Sequence, residues 1–334
     1  MSKIFDFVTI GAATRDIFFK TDRDWVVKNE DPLKQRLMCF EYGAKVIPKD
    51  AHFAFGGGAA NTAISISRLG LRVSAIASLN EDETADAILK HLKTERVKTN
   101  LAISKGHYRT GLSVIIVDKN GDHTAILYRG TNNNLSIKNW DFLEKTKWIY
   151  MSSLTGKSEL VLNRLERELF KCRTKFAWNP GGTQLKKGYE GLKKLISQTD
   201  ALILNKDEAA ELVSSKDKKI DCQNINSLIY EIKHWGSKIV IITDGANGAF
   251  AFDGKVIYQA KTVKAKVIDT TGAGDAFGSS FVAGLEILKD TKKALALATI
   301  NASSVVSHYG AQAGLLPLYK VKGLNKVKVL ETIR

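Results

Sequence analysis

The chain has 334 residues, of which 44% are hydrophobic and 25% charged, a composition typical of a globular protein with a large core. Its net charge of +15 would suit phosphate-bearing ligands, nucleic acid or an anionic surface. The lysines are scattered, however, and no aromatic–basic pattern recurs, so we expect no nucleic-acid partner. No apolar run approaches the roughly 20 residues that span a bilayer. Three widely spaced cysteines and the lack of a signal-peptide layout favour reduced thiols in a cytoplasm.

Short β-rich runs alternate with helix-like segments along most of the chain. The predicted strands are residues 7–13, 72–79, 148–152, 175–179, 201–205 and 238–243. The predicted helices are residues 61–70, 82–93, 160–169 and 207–215. Because the strands are continuously apolar, they suit a mostly parallel sheet covered by helices on both faces. The alternation therefore predicts a doubly wound α/β fold.

Two segments break this alternation. Residues 111–130 read as strand, Asn-Gly turn and strand, which is a hairpin signal, and residues 17–55 contain β-like pieces without a clear helix. We expect one domain over residues 1–334, with a small β-rich lid formed by about 17–55 and 108–130. Four aromatic residues fall in the first lid segment: Phe40, Tyr42, Phe53 and Phe55. We expect them to form the core of the lid; stacking on a nucleobase is the alternative.

The stretch TGAGDAF, residues 271–277, places a glycine-rich loop directly before a helix that the apolar spacing predicts to begin near Gly274–Asp275. The amides of Gly272, Ala273 and Gly274 would point at one spot beside the positive end of the helix dipole, which suits a phosphate oxygen. An acidic side chain there can take a proton from an alcohol that attacks the phosphate. Asp275 is thus either a catalytic base or a helix cap.

A second glycine cluster, FGGGAANTAISISRLG at residues 55–70, again meets the beginning of a helix. Its amides and the side chain of Asn61 would suit the hydroxyls of a polar ligand, although a tight strand-to-helix turn also explains the glycines. Asp16 follows the first strand and would accept hydrogen bonds from neighbouring hydroxyls or remain a solvated loop residue. The chain has neither a Walker A loop nor a Rossmann glycine motif after its first strand.

Taken in order, these motifs resemble the ribokinase (PfkB) family of carbohydrate kinases. The resemblance rests on the Gly-Gly cluster with Asn61, on DTTGAGD, and on four further matches in the right order. These are NPGG at 179–182, NKDE at 205–208, TDGANGAF at 243–250 and NASSVVSHYGAQAGLLP at 301–317. It spans roughly residues 5–320 and implies a ribokinase-like fold and ATP-dependent phosphorylation of an alcohol.

The resemblance also implies roles for individual residues. Asp275 would be the general base, and Gly272, Ala273 and Gly274 would hold the γ-phosphoryl group. The acceptor would be gripped by Asp16, Gly57, Gly58 and Asn61. The nucleotide would be bordered by Asn205, Thr243, Gly245, Asn247 and Gly248, with Asn301 near the base.

For cations, the resemblance implies that Asn205 and Glu208 organise Mg²⁺, with Glu208 acting through water. A helix cap with a first-turn acid is the alternative. Asp269 and Thr271 resemble the monovalent-cation site of some members, which would favour K⁺ activation. In this family lids often pair between subunits, which favours a homodimer.

The acceptor stays open at this point. A sugar kinase and a nucleoside kinase are both compatible with the motifs, and a non-catalytic ligand-sensing or nucleic-acid-binding member is the third alternative. The lysine that ribokinases usually carry in the first glycine segment is absent from GGGAAN, which argues against ribose itself. Lys45, Arg109 and Arg129 lie on segments near the lid and are candidates to meet an acceptor phosphate or carboxylate.

Overall fold

The computed structural model describes residues 4–21, 25–28, 36–99, 108–118 and 123–333. Its strands are β1 (Phe5–Ile10), β2 (Thr14–Lys20), β3 (Trp25–Lys28), β4 (Arg36–Cys39), β5 (Asp50–Gly56), β6 (Val73–Ile76), β7 (Leu112–Val117), β8 (His123–Tyr128), β9 (Thr146–Met151), β10 (Lys175–Trp178), β11 (Ala201–Asn205), β12 (Ile239–Thr243), β13 (Ala249–Phe252), β14 (Val256–Ala260) and β15 (Val329–Ile333). Its α-helices are α1 (Gly58–Arg68), α2 (Glu83–Thr94), α3 (Leu160–Leu169), α4 (Gly182–Leu185), α5 (Gly188–Ser197), α6 (Lys206–Ser214), α7 (Ile225–His234), α8 (Ala273–Leu288) and α9 (Thr291–Val305).

Among the described residues, the main sheet has nine strands in the order β15-β14-β13-β12-β11-β10-β9-β1-β6. The six strands from β12 to β6 run parallel, whereas β13, β14 and β15 pair antiparallel at one edge. All six predicted strands form this parallel part, so the mostly parallel sheet is confirmed. The antiparallel edge was not predicted.

Helices cover both faces of the main sheet, and each face has its own hydrophobic core. Helices α1, α2, α8 and α9 pack on one face around Phe7, Tyr150 and Phe281. Helices α3, α5, α6 and α7 pack on the other around Phe176 and Trp178. This two-sided burial explains why the central strands lack polar alternation, since residues pointing to either face are withdrawn from water.

A smaller sheet of four strands, in the order β5-β2-β7-β8, stands beside the main sheet in the described structure. Strands β7 and β8 pair antiparallel, which confirms the predicted hairpin, while its Asn-Gly turn lies outside the described residues. Residues 22–24 and 29–35 of the first lid segment also lie outside the described residues. Strands β3 and β4 of that segment form a separate two-stranded pair. We call the four-stranded sheet the lid sheet.

The buried core of the lid sheet consists of Phe18, Ile115 and Val117. The expectation that Tyr42 and Phe53 form this core is wrong, because Tyr42 is fully exposed and Phe53 is 62% exposed. The inward positions of β2 and β7 supply the core instead, since these two strands lie in the middle of the sheet and exchange backbone hydrogen bonds over their whole length.

Three of the motifs named in the sequence, at 179–182, 205–208 and 243–250, follow the carboxyl ends of the parallel strands β10, β11 and β12, as expected for an open α/β sheet. Asn205 and Thr243 end β11 and β12 and are paired in register. Ser152 and Asn179 follow β9 and β10. In the described structure the three cysteines are free, and no helix is both long and apolar enough to cross a membrane.

Candidate active site

The first turn of α8 carries the acidic residue at the centre of the site. The helix begins at Ala273, slightly earlier than predicted, after Gly272 in the left-handed conformation with φ of 76°. A Cβ at Gly272 would lie 2.2 Å from the Cβ of Ala311, so both the dihedral angle and the space require glycine. The amides of a first helical turn lack partners from a preceding turn, and that of Ala273 donates to the Thr270 carbonyl at 3.2 Å.

The carboxylate of Asp275 does not cap this helix. The cap position, Gly272, has no side-chain hydrogen bond, and Oδ2 of Asp275 instead accepts one from Nδ2 of Asn61 at 2.8 Å. Burial raises the pKa of Asp275, and the hydrogen bond from Asn61 opposes that rise. Asp275 is therefore a carboxylate whose negative charge is only partly compensated by the protein.

Asp275 lines a cavity of about 290 Å³ at the ends of the parallel strands. Three other residues that the sequence singled out lie there with it, Gly58, Arg129 and Glu208. The remaining lining residues are Ala12, Asn132, Ser152, Ser153, Leu154, Thr155, Asn179, Pro180 and Gly181. The structure thus joins segments that are far apart in the chain into one polar cavity.

Ser152 is a site residue that the sequence motifs did not indicate. Its side chain is 4% exposed, and its hydroxyl has no hydrogen-bond partner among the described residues. A Cβ at Gly58 would lie 2.6 Å from this hydroxyl and 3.6 Å from Oδ1 of Asp275, so the missing side chain of Gly58 keeps the space between them open. The one sequence feature that could have indicated Ser152 is its position directly after a buried parallel strand, where open α/β sheets bind ligands.

The neighbouring Gly57 has a different reason to be glycine. Its φ is 90°, and a Cβ there would come within 2.5 Å of the Ala12 carbonyl oxygen. Gly57 therefore makes the tight turn from β5 into α1 that brings Asn61 toward Asp275.

Asn205 and Glu208 form a capping box at the start of α6. The Glu208 amide donates to Oδ1 of Asn205 and the Asn205 amide donates to Oε2 of Glu208, both at 2.8 Å. Burial raises the pKa of Glu208, which lines the cavity. Both residues thus have the capping role that the sequence suggested as the alternative, and Glu208 also presents a half-buried acid at the site.

The predicted nucleotide segment forms an exposed turn after β12. Thr243 ends the strand, Gly245 and Asn247 lie exposed in the turn, and Gly248 has φ of 99°. A Cβ at Gly248 would lie 2.1 Å from the carbonyl oxygen of Ala260, so this glycine is required for the close approach of β14. The turn lies at the same edge of the sheet as Asn205.

Asn301 does not lie on this surface. Its side chain is 0% exposed, its Nδ2 donates to the Ser280 hydroxyl at 2.6 Å, and its Oδ1 accepts from the Leu316 amide at 2.9 Å. Both polar ends are occupied within the protein. We correct the expected contact with the base to a structural bridge from α9 to α8 and the following loop.

Asp16 is not a solvated loop residue. It lies within β2 of the lid sheet, 5% exposed, and accepts hydrogen bonds from the hydroxyls of Thr14 and Ser113. Burial raises its pKa, and the negative charge of Asp269 adds to the effect. Asp16 is not among the residues that line the cavity around Asp275 in the described structure.

Asp269 and Thr271 form a compact turn before α8. Oδ1 of Asp269 accepts from the amide and the hydroxyl of Thr271, at 2.9 and 2.6 Å, and Oδ2 accepts from the Gly310 amide at 2.9 Å. The turn thereby ties the loop before α8 to the segment after α9.

Comparison with known proteins agrees with this architecture. The family model of the pfkB family carbohydrate kinases matches residues 24–317. An uncharacterized sugar kinase from Archaeoglobus fulgidus is 26% identical over 254 residues, which cover 75% of this chain and 98% of that relative.

Two solved structures show the same fold. Ribokinase from Arabidopsis thaliana, complexed with ribose and ATP, superposes with a TM-score of 0.78 at 20% identity and covers 98% of both chains. A nucleoside kinase from Methanocaldococcus jannaschii, an archaeal member of the ribokinase family, gives 0.76 at 23% identity, covering 98% of this chain and 100% of that one. The fold is ribokinase-like, and the chain belongs to the pfkB family of carbohydrate kinases.

Proposed function

We propose that the protein transfers the γ-phosphoryl group of ATP to a hydroxyl of a small sugar or sugar-like acceptor, with Asp275 as the general base. The observation that carries this proposal is the position of the Asp275 carboxylate. It lies in the first turn of α8, lines the cavity and is held through one oxygen by Asn61. Its other oxygen faces the space that Gly58 leaves open.

The chemistry assigned to Asp275 is the removal of one proton. Its carboxylate accepts the proton of the acceptor hydroxyl as that oxygen forms a bond to the γ-phosphorus and the bond between this phosphorus and the ADP oxygen breaks. Because burial raises the pKa of Asp275, its ionised carboxylate is a stronger proton acceptor than an ordinary aspartate.

The amides of Gly272, Ala273 and Gly274 are proposed to stabilise the charge that develops on the transferred phosphoryl group, beside the positive end of the α8 dipole. Glu208 is proposed to hold Mg²⁺ through water, because it lines the cavity and a partly desolvated carboxylate is stabilised by a nearby cation. Mg²⁺ would neutralise charge on the nucleotide phosphates. The exposed turn with Thr243, Gly245, Asn247 and Gly248 is the proposed nucleotide border.

The acceptor cavity is lined by groups that suit hydroxyls and an anion. Ser152, Asn132 and Asn179 supply polar side chains, and Arg129 supplies a positive charge. We propose that neutral hydroxyls bind near Ser152 and that a carboxylate or phosphate on the acceptor would meet Arg129. The proposed contact of Asp16 with acceptor hydroxyls rests on the family resemblance, since Asp16 is not among the described residues that line this cavity.

Three further expectations stay part of this proposal. Asp269 and Thr271 are the proposed monovalent-cation site, which would make activity K⁺-dependent. A homodimer through the lid sheet is proposed because Ile126 and Leu127 on its outer strand are 61% and 55% exposed. A cytoplasmic location suits the free thiols.

A nucleoside kinase is the second candidate. The nucleoside kinase from Methanocaldococcus jannaschii has the same fold, so the scaffold accommodates that chemistry. A non-catalytic ligand-sensing or nucleic-acid-binding protein is the third candidate. The position of Asp275 argues against it, because withdrawing a carboxylate from water costs stability and a protein without catalytic function has no need to retain that cost.

The test is acceptor-dependent release of ADP from ATP and Mg²⁺, over pentoses, hexoses, sugar acids, sugar phosphates and nucleosides, each with and without K⁺. Strong turnover with one class of sugar supports the sugar kinase, and turnover with nucleosides alone supports the second candidate. ATP binding without turnover on any acceptor, together with steeply salt-dependent DNA binding, would favour the non-catalytic alternative.

A further inference from the structure

Four side chains form an unbroken series of hydrogen bonds that ends at the proposed base. Nδ2 of Asn61 donates to Asp275, Nε2 of Gln312 donates to Oδ1 of Asn61, and Nε2 of His91 contacts Oε1 of Gln312. Each of the three distances is 2.8 Å. Asn61 and Gln312 are 5% and 6% exposed, so water does not readily replace their partners.

The carboxylate at one end determines the direction of every bond in this series. An ionised carboxylate only accepts hydrogen bonds, so the NH₂ group of Asn61 must face Asp275 and its oxygen must face Gln312. That oxygen in turn requires the NH₂ group of Gln312, which leaves the Gln312 oxygen to accept from His91. Exchanging the oxygen and the NH₂ group of either amide, Asn61 or Gln312, would place two acceptors or two donors against each other.

The far end of the series is held by independent contacts. Arg68 donates to the backbone oxygen of Gln312 at 2.9 Å and forms a bidentate ion pair with Glu95, at 2.6 and 2.9 Å. The ring of His91 stacks on Phe55 with 4.3 Å between the ring centroids. These contacts hold Gln312 and His91 independently of their bonds to Asn61.

We propose that Gln312 and His91 are positioning residues for the reaction: their hydrogen bonds hold the Asn61 amide in the one orientation that suits the ionised Asp275 carboxylate, so that one carboxylate oxygen receives an N–H group and the other stays available as the base. This inference rests on the proposed role of Asp275. It assigns to neither Gln312 nor His91 any contact with the substrate.

Protonation of His91 does not interrupt the series. The imidazolium and the neutral tautomer protonated at Nε2 both donate from Nε2, and only the tautomer protonated at Nδ1 would present a lone pair to the Gln312 oxygen. The charged groups that face His91 from the packed elements are Glu95 and Arg68, which neutralise one another. The proposal therefore depends on the tautomer of His91 and not on its charge.

Two substitutions at Gln312 separate positioning from packing. Gln312→Met keeps the length of the side chain and removes the amide, so the oxygen of Asn61 loses the N–H group that it accepts from. We expect kcat to fall about tenfold with the KM for ATP unchanged. Gln312→Glu keeps the shape but only accepts, which draws the NH₂ group of Asn61 away from Asp275. The acid limb of the pH profile of kcat should then move upward by about one pH unit or more.

At the other end, His91→Phe retains the stacking on Phe55 and removes the donor, and should reduce kcat in the same direction. His234→Phe, on the exposed end of α7, is the matched control and should leave kcat unchanged. Thermal unfolding of each protein shows that the fold is retained. If Gln312→Met and Gln312→Glu unfold like the parent and keep its kcat and acid limb, the positioning role is wrong.

Failure of this inference differs from failure of the proposed function. Full activity of Asp275→Asn would refute the base itself, whereas an inactive Asp275→Asn with unaffected Gln312 variants refutes only the positioning role. Should the variants not fold, the unsubstituted protein decides through ¹⁵N NMR of labelled histidine. The series requires a proton on Nε2 of His91 at high pH, and a proton on Nδ1 instead would overturn it.

Discussion

Asn61 and Asp275 are 214 residues apart in the chain, yet Nδ2 of Asn61 lies 2.8 Å from a carboxylate oxygen of Asp275. The bond joins α1 to the first turn of α8. The same two helices meet one turn further along, where the buried hydroxyls of Ser279 and Ser65 lie 2.7 Å apart. Core packing between α1 and α8 thus sets the position of the proposed base.

Asn61→Leu should shift the pH dependence of turnover. The hydrogen bond from Asn61 lowers the pKa of Asp275, so its loss raises that pKa further above the ordinary value. Activity requires the ionised carboxylate and is lost as pH falls through the pKa; we expect the acid limb of kcat to move upward by about one to two pH units. Asn226→Leu, at an exposed position of α7, is the control. An unchanged acid limb in Asn61→Leu would contradict the electrostatic role of Asn61.

Ser152→Ala should weaken acceptor binding without weakening the fold. The buried hydroxyl lacks a protein partner in the described structure, so its removal costs no internal hydrogen bond. We expect the KM for the acceptor to rise about fivefold, with the unfolding temperature unchanged or higher. Ser237→Ala is the matched control, because the Ser237 hydroxyl is buried and bonded to Thr199 and Ile196. It should lose about 1 kcal/mol of stability and keep the parent KM. If Ser152→Ala lowered the unfolding temperature and left the KM for the acceptor unchanged, Ser152 would have a structural role only.

Glu208→Gln should separate the two roles of Glu208. A glutamine oxygen can still accept from the Asn205 amide, so the cap is retained, while the charge is lost. If Glu208 holds Mg²⁺ through water, the Mg²⁺ concentration for half-maximal activity should rise about 10- to 100-fold. Glu211→Gln, exposed on the same helix, is the control. Equal Mg²⁺ dependence in both variants would leave Glu208 with the capping role alone.

Arg129→Gln should reveal whether the acceptor is anionic. Arg129 lines the cavity, and its exposed guanidinium would pair with a carboxylate or phosphate. For a sugar acid or sugar phosphate we expect the KM to rise about tenfold, and for a neutral sugar no change. Arg167→Gln, exposed on α3, controls for the loss of one positive charge. A KM that is independent of Arg129 for an anionic acceptor would exclude this contact.

Two elements with a clear apolar pattern, α3 and β11, were predicted to the residue, whereas the bounds of β1 and β6 differ by one to three residues from those predicted. The bounds of α3 and β11 match the prediction, because four leucine and valine residues mark one face of α3 and a continuous apolar run marks β11. The edge strands β13 and β14 were missed, although Asp253–Gly254 between them is a hairpin signal. Strand β15 has an exposed, irregular pattern, and its place is set by pairing with β14.

The site was predictable only in part, for a physical reason. Glycine-rich loops and acids at strand ends carry local signals, and Gly58, Glu208 and Asp275 do line one cavity. The direction of a side chain depends on its neighbours in space, which is why Asn301 lies buried while Gln312 faces Asn61. A serine or glutamine at such a position has no distinctive sequence pattern.

The most direct test of the account is the turnover of Asp275→Asn beside the parent, with thermal unfolding of both. Burial raises the pKa of Asp275, so at pH values above the ordinary aspartate pKa its negative charge destabilises the folded protein. The neutral amide of asparagine removes this cost. We predict an unfolding temperature equal to or above that of the parent and a kcat about 10²- to 10⁴-fold lower. A protein that keeps nearly the full acceptor-dependent release of ADP would contradict the role of Asp275 as the general base.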